Sequence, residues 1–142
     1  MEKFLADKAG WILGKVAYFK KIGQQGLVVA RRGGVGEYKK FKHQARLLVK
    51  EKILQINKFY NFSFNRISIK NHKSRWGSCS KKGNLNFNYK IIHLPVELAE
   101  YIVAHELCHL KELNHSARFW DLVAKAVPDH KACRRKLKAV FV

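Results

Sequence analysis

The segment His105–His109, with the sequence His-Glu-Leu-Cys-His, constrains this chain more than any other feature. On an α-helix, side chains four residues apart are separated by about 40° around the axis and about 6 Å along it. The imidazoles of His105 and His109 can therefore reach one metal ion from the same side. Apolar residues at helical spacing precede them, and Pro95 suits a first turn. The pattern predicts a zinc site on a helix.

Glu106 follows the first of these histidines, so its carboxylate can contact a zinc-bound water without ligating the ion. A zinc ion with three protein ligands and an open fourth position lowers the pKa of that water towards about 7. A neighbouring carboxylate can accept the proton and later return it. Glu106 is therefore the predicted catalytic base of a zinc-dependent hydrolase.

A third ligand, His115, is predicted from where this helix must end. On a continued helix, His115 would lie about 240° around and about 9 Å along from His109, too far for one ion. A helix that stops near Asn114 in a left-handed conformation would let His115 fold back towards the metal. Ser116 could then cap the next helix.

Two carboxylates are alternative third ligands. Glu112 follows His105 by seven residues and would share its helical face. Three ligands along one straight helix cannot surround an ion tetrahedrally, so His115 is preferred to Glu112. Asp121 is a remoter candidate, better suited to orient a ligating imidazole by accepting its second ring N–H.

The pattern of apolar residues elsewhere predicts an α+β chain. Further helices are expected over about residues 7–21, 37–60, 116–126 and 129–139. Alternation of apolar and polar residues predicts a strand at Ile67–Ile69 and a hairpin whose strands cover about residues 75–80 and 85–89. We expect one domain over residues 1–142, with an N-terminal helix and glycine-rich connector (1–36) and a catalytic core (37–142).

Composition bounds the location and the partners. No apolar run is long enough to span a membrane, and three cysteines without a CxxC pair favour a reducing cytoplasm. The net charge of +19 would attract polyanions, so a nucleotide or nucleic acid is a candidate partner. The basic residues are dispersed, however, and no nucleic-acid-binding motif accompanies them. This dispersal favours a charge that solvates helix faces.

Several short motifs occur in a characteristic order along the chain. They are Arg75-Trp76-Gly77-Ser78-Cys79-Ser80, Gly83-Asn84-Leu85-Asn86, the segment Tyr101–Leu110, Asn114-His115-Ser116 and Phe119-Trp120. This order resembles the YgjP-like metallopeptidase family, whose members are relatives of the SprT-like and WLM zinc peptidases. The resemblance is strong over about residues 67–137 and weaker over about residues 38–60.

The resemblance implies a zincin-like fold, in which a small antiparallel or mixed sheet packs against the helix that carries the motif, with further helices flanking it. It also implies Zn²⁺ as cofactor, His105, His109 and His115 as its ligands, and Glu106 as catalytic base. In such folds a strand lies beside the active-site helix, and an exposed strand edge can pair with an extended peptide. Arg75 and Ser78, in the predicted hairpin, are therefore candidate substrate-binding residues.

The sequence thus predicts a zinc-dependent hydrolase, with a metallopeptidase acting on peptides or proteins as the first choice. One alternative is a metal-dependent phosphohydrolase acting on nucleotides, which the positive charge favours. Another is a polyanion-binding module with a structural metal site. The presence of Glu106 argues against that module, because structural zinc sites are usually closed by four protein ligands.

Overall fold

The computed structural model describes residues 35–140, which begin with a 22-residue helix, α1 (Val35–Ile56). The buried residues of α1 recur every three or four positions and pack into the core; they are Ala45, Val49, Ile53 and Ile56. The predicted helix over residues 7–21 and most of the glycine-rich connector lie outside the described residues. A single domain over residues 1–142 therefore stays a prediction.

Helix α1 ends at Ile56, four residues before the predicted boundary. The side-chain amide of Asn57 donates to the carbonyl of Phe62 and accepts from its backbone N–H, each at 2.9 Å. Asn61 adopts a left-handed conformation with φ 56°, which asparagine tolerates better than most residues. These two asparagines turn the chain out of the helix, an effect that apolar periodicity alone does not reveal.

A three-stranded sheet follows, consisting of β1 (Arg66–Lys70), β2 (Gly77–Cys79) and β3 (Asn84–Asn88), in the order β1-β3-β2. Strand β1 runs parallel to β3, whereas β2 runs antiparallel to it and lies at the edge. The turn between β2 and β3 contains Gly83 at φ 82°, where glycine carries no steric penalty. The predicted strand and hairpin are therefore both present.

The helix that carries the motif, α2 (Val96–Cys108), lies at the centre of the fold. It follows a short 3-10 helix, Tyr89–His93, and most of its residues are buried. It packs against α1, β2 and two later helices, α3 (Ala117–Ala126) and α4 (His130–Val140). The expected α+β fold, with a small mixed sheet beside the motif helix and flanking helices, is confirmed.

The two last helices begin within one residue of the predicted positions. Ser116 is the N-cap of α3, and its hydroxyl accepts a hydrogen bond from the backbone N–H of Phe119 at 3.4 Å. Within residues 35–140, no helix has both the length and the apolar character that crossing a membrane requires.

Candidate active site

Three histidines converge at the end of α2. The Nε2 atoms of His105, His109 and His115 form a triangle in which each side measures 3.2 Å. In a tetrahedral site with zinc–nitrogen distances of about 2.0–2.1 Å, neighbouring nitrogen atoms lie about 3.3–3.4 Å apart. The triangle therefore has the dimensions that a zinc ion requires.

The protonation of these rings also suits a cation. Nδ1 of His109 lies 3.0 Å from the carbonyl oxygen of Glu112. A carbonyl can only accept, so Nδ1 carries the N–H and the lone pair is on Nε2. Burial, with the neighbouring His109 and His115 adding to its effect, lowers the pKa of His105 to about 3, and burial also lowers the pKa of His109. Both rings are thus neutral at pH 7, the form that ligates metals.

His115 reaches the triangle because α2 ends early. The helix stops at Cys108, and the backbone N–H groups of Lys111 and Glu112 both bond to the carbonyl of Cys108 in a tight turn. The expectation of a left-handed stop at Asn114 was wrong, since Asn61 is the only non-glycine residue with positive φ among residues 35–140. The tight turn after Cys108 takes the place of that stop, and the hydrogen bond between Nδ1 of His109 and the Glu112 carbonyl stabilises it.

Neither alternative carboxylate lies in the cluster. Among residues 35–140, the group of potential ligand atoms at this place comprises the three histidines alone. Glu112 contributes its backbone carbonyl to His109 instead of its carboxylate. Asp121 is exposed on α3.

Aromatic side chains of α3 hold two of the imidazoles in place. The ring of Phe119, fully buried, stacks on His109 with a centroid distance of 4.4 Å and an interplanar angle of 20°. The indole of Trp120 stacks on the exposed His115 at 5.8 Å and 24°. The sequence pattern did not reveal this role, because it depends on how α3 packs against α2.

Glu106 is buried against the edge strand. Its side chain faces Gly77 of β2, where an added Cβ would lie 2.9 Å from Oε2. Burial raises the pKa of the Glu106 carboxyl to about 8, and the charge of Arg75 opposes part of that rise. A carboxyl with a pKa near neutrality can both accept and release a proton at physiological pH.

A cavity of about 430 Å³, the basic cavity, opens beside His105 and Glu106. Its walls come from the start of β2 and the segment before it, from α2 and from α4, and they include three cationic side chains, Arg75, Arg134 and Lys138. Its volume lies in the range of ligand pockets, about 300–1,000 Å³. Sequence reasoning singled out Arg75 but missed Arg134 and Lys138, which reach the site only through the packing of α4.

Two other residues differ in their relation to the basic cavity. Ser78, a candidate substrate-binding residue, accepts a hydrogen bond from the side-chain amide of Asn86 at 3.2 Å and does not line the cavity. Tyr101 does line it, and its hydroxyl lies 3.4 Å from Nδ1 of His105. Its position four residues before His105 was the available signal for this contact.

Comparison with known proteins gives two kinds of match. A family model described as the YgjP-like metallopeptidase domain matches residues 38–140, whereas no curated protein sequence matches the chain. The metallopeptidase zymogen abylysin of Pyrococcus abyssi has a similar structure, with 25% identity, a TM-score of 0.59 and coverage of 64% of this chain and 92% of that chain. The metallopeptidase zymogen jannalysin of Methanocaldococcus jannaschii is 27% identical, with a TM-score of 0.54 and coverage of 69% and 97%.

Proposed function

Because the chain belongs to the YgjP-like metallopeptidase family, we propose that it is a zinc-dependent peptidase in which His105, His109 and His115 hold the ion and Glu106 is the catalytic base. The observation that carries this proposal is the triangle of Nε2 atoms with 3.2 Å sides, beside a buried carboxyl group. Three nitrogen ligands leave a fourth position for water or substrate.

When bound, the zinc ion would polarise the scissile carbonyl and lower the pKa of a water molecule at the site. Glu106 takes the proton of the attacking water and returns it to the leaving amine. The carbonyl of Glu112 keeps the Nε2 lone pair of His109 directed at the other two imidazoles. Strand β2, at the edge of the sheet, offers its backbone to an extended peptide.

The replacement Glu106→Gln tests this function. We expect the variant to fold and to retain one zinc ion per chain, because Glu106 is not a ligand. Its kcat/KM on casein or a peptide library should fall by about 10²–10⁴-fold, since no proton acceptor replaces the carboxylate. Glu100→Gln is the matched control, because Glu100 lies on the same helix and pairs with Lys52 at 4.0 Å. Turnover at the wild-type rate in Glu106→Gln would exclude the mechanism.

Hydrolysis of a phosphoanhydride is the second candidate function, and the cations of the basic cavity favour it because they would attract a nucleotide. Nucleoside triphosphates belong in the same assay, with Glu106→Gln as the blank. Phosphohydrolysis that depends on Glu106, without peptide cleavage, would replace the peptidase proposal. A structural metal site is disfavoured, because such sites are usually closed by four protein ligands.

We propose the cytoplasm as the location. Cys79, Cys108 and Cys133 form no disulfide bond, and two of them are buried. Free thiols are typical of proteins in a reducing compartment.

A further inference from the structure

The cations of the basic cavity are available to a ligand. Arg75, Arg134 and Lys138 come from two separate parts of the chain and line one cavity. Within residues 35–140, the basic side chains that form ion pairs are Lys52, His93 and Lys136. None of these three lines the basic cavity. Three positive charges around one cavity repel one another and attract an anion.

One of these cations is held in position. The guanidinium of Arg134 lies over the ring of Trp120, 5.4 Å from its centroid. The same indole stacks on His115, so Arg134 is anchored next to the histidine triangle.

The basic cavity also has apolar walls. Trp76, Ile102 and Leu137 line it, and each is buried. An anion with a large hydration shell gains little from such walls, whereas an amino-acid residue with a carboxylate can contact both the walls and the cations. Next to a peptidase site, the ligand that combines these properties is part of a peptide.

We propose that the basic cavity binds a carboxylate of the peptide substrate, with Arg75, Arg134 and Lys138 as its counter-ions. This inference rests on the proposed peptidase function and names the substrate class, which is acidic peptides or peptides with a free C-terminus. Both sources present the same chemical group beside the bond that is cleaved. The outer surface of α4 extends the positive field, because Lys131 and Arg135 adjoin Arg134 and Lys138.

Binding to zinc-loaded Glu106→Gln protein, measured by isothermal titration calorimetry, tests the inference without requiring turnover. Four hexapeptides with acetylated N-termini are compared. One has neutral side chains and a free C-terminal carboxylate. The other three are C-terminal amides, which have only neutral side chains, one glutamate or one lysine. We expect the free-carboxylate peptide, the glutamate peptide or both to bind about tenfold more tightly than the neutral amide. Tighter binding of the peptide with the free C-terminus identifies the bound group as a terminal carboxylate. Tighter binding of the glutamate peptide identifies it as a side-chain carboxylate.

Charge variants separate the cavity from the general charge of +19. Arg134→Gln should remove most of the carboxylate preference, whereas Arg134→Glu should shift the preference to the lysine peptide. Arg135→Gln is the matched control, because it makes the same change at the next residue of α4, which does not line the basic cavity. Arg134 and Arg135 both have exposed side chains, so the three variants are expected to fold.

Equal affinities for the four peptides would overturn the inference, as would an equal loss of preference in Arg134→Gln and Arg135→Gln. Tight binding of a nucleoside triphosphate that depends on Arg134, without any carboxylate preference among the peptides, would assign the cavity to phosphate. A carboxylate preference that depends on Arg134 supports the inference even if the wild-type protein cleaves no peptide, a result that would count against the proposed function alone.

Discussion

Gly77 lies so close to Glu106 that a Cβ atom at position 77 would be 2.9 Å from Oε2 of the carboxylate. The same Cβ would lie 3.0 Å from the backbone oxygen of Asn86 in the neighbouring strand. The backbone on that side is held in the sheet, because β2 pairs with β3. The position of the Glu106 carboxylate therefore depends on the absence of a side chain at Gly77.

We expect Gly77→Ala to lower kcat/KM by about 100-fold, because a displacement of about 1 Å at a catalytic group has effects of that size. Zinc content should stay at one ion per chain, since the atoms nearest to a Cβ at Gly77 belong to Glu106 and Asn86 and not to the three histidines. Gly36→Ala is the control, because a Cβ at Gly36 meets nothing within 4 Å. Peptidase kinetics and metal analysis of both variants check the prediction, and unchanged kcat/KM in Gly77→Ala would contradict it.

Single replacements of His105, His109 or His115 by alanine should each abolish stoichiometric zinc binding, because two imidazoles alone hold the ion weakly. Glu112→Gln should retain zinc, since Glu112 acts through its backbone carbonyl. His43→Ala, at an exposed position of α1, is the control. Metal content by mass spectrometry after dialysis is the measurement. Full zinc retention in His115→Ala, with loss in Glu112→Gln, would reassign the third ligand.

Ser116→Ala should lower the free energy of unfolding by about 1 kcal/mol, the usual cost of removing an N-cap side chain. The hydroxyl of Ser116 accepts a hydrogen bond from the backbone N–H of Phe119. Ser116 directly follows His115 in the chain. Zinc affinity should therefore also fall, because the loop that carries His115 loses its attachment to α3. Urea denaturation and competition with a zinc chelator measure the two effects. Ser63→Ala, at an exposed loop position, should change neither of them.

Tyr60→Phe should lower the free energy of unfolding by about 1–2 kcal/mol, because the Leu122 carbonyl would lose a hydrogen-bond donor. The Tyr60 hydroxyl donates to that carbonyl at 2.5 Å and joins the segment after α1 to α3. Burial also raises the pKa of Tyr60, so the hydroxyl stays protonated as a donor. We expect kcat/KM to change by less than about twofold, as the bond lies outside the active site. Unfolding at the wild-type urea midpoint would contradict this role.

Local chemistry allowed much of the fold to be predicted from the sequence. Helical periodicity located α1 through α4, since each helix bonds within its own segment. Ser116 marked a helix start, and Gly83 lies between the two predicted hairpin strands, because capping and positive φ depend on single residues. The prediction that His105 and His109 would approach one another also followed from helix geometry, and their Nε2 atoms lie 3.2 Å apart.

Long-range packing decided the remainder. The parallel pairing of β1 with β3 joins segments separated by a hairpin strand, and no local pattern specifies such a register. The sequence by itself therefore determined the helices, the turns and the histidine spacing, which depend on neighbouring residues. Only the tertiary structure set Gly77 against Glu106 and brought Arg134 to the basic cavity, because those contacts join residues distant in the chain.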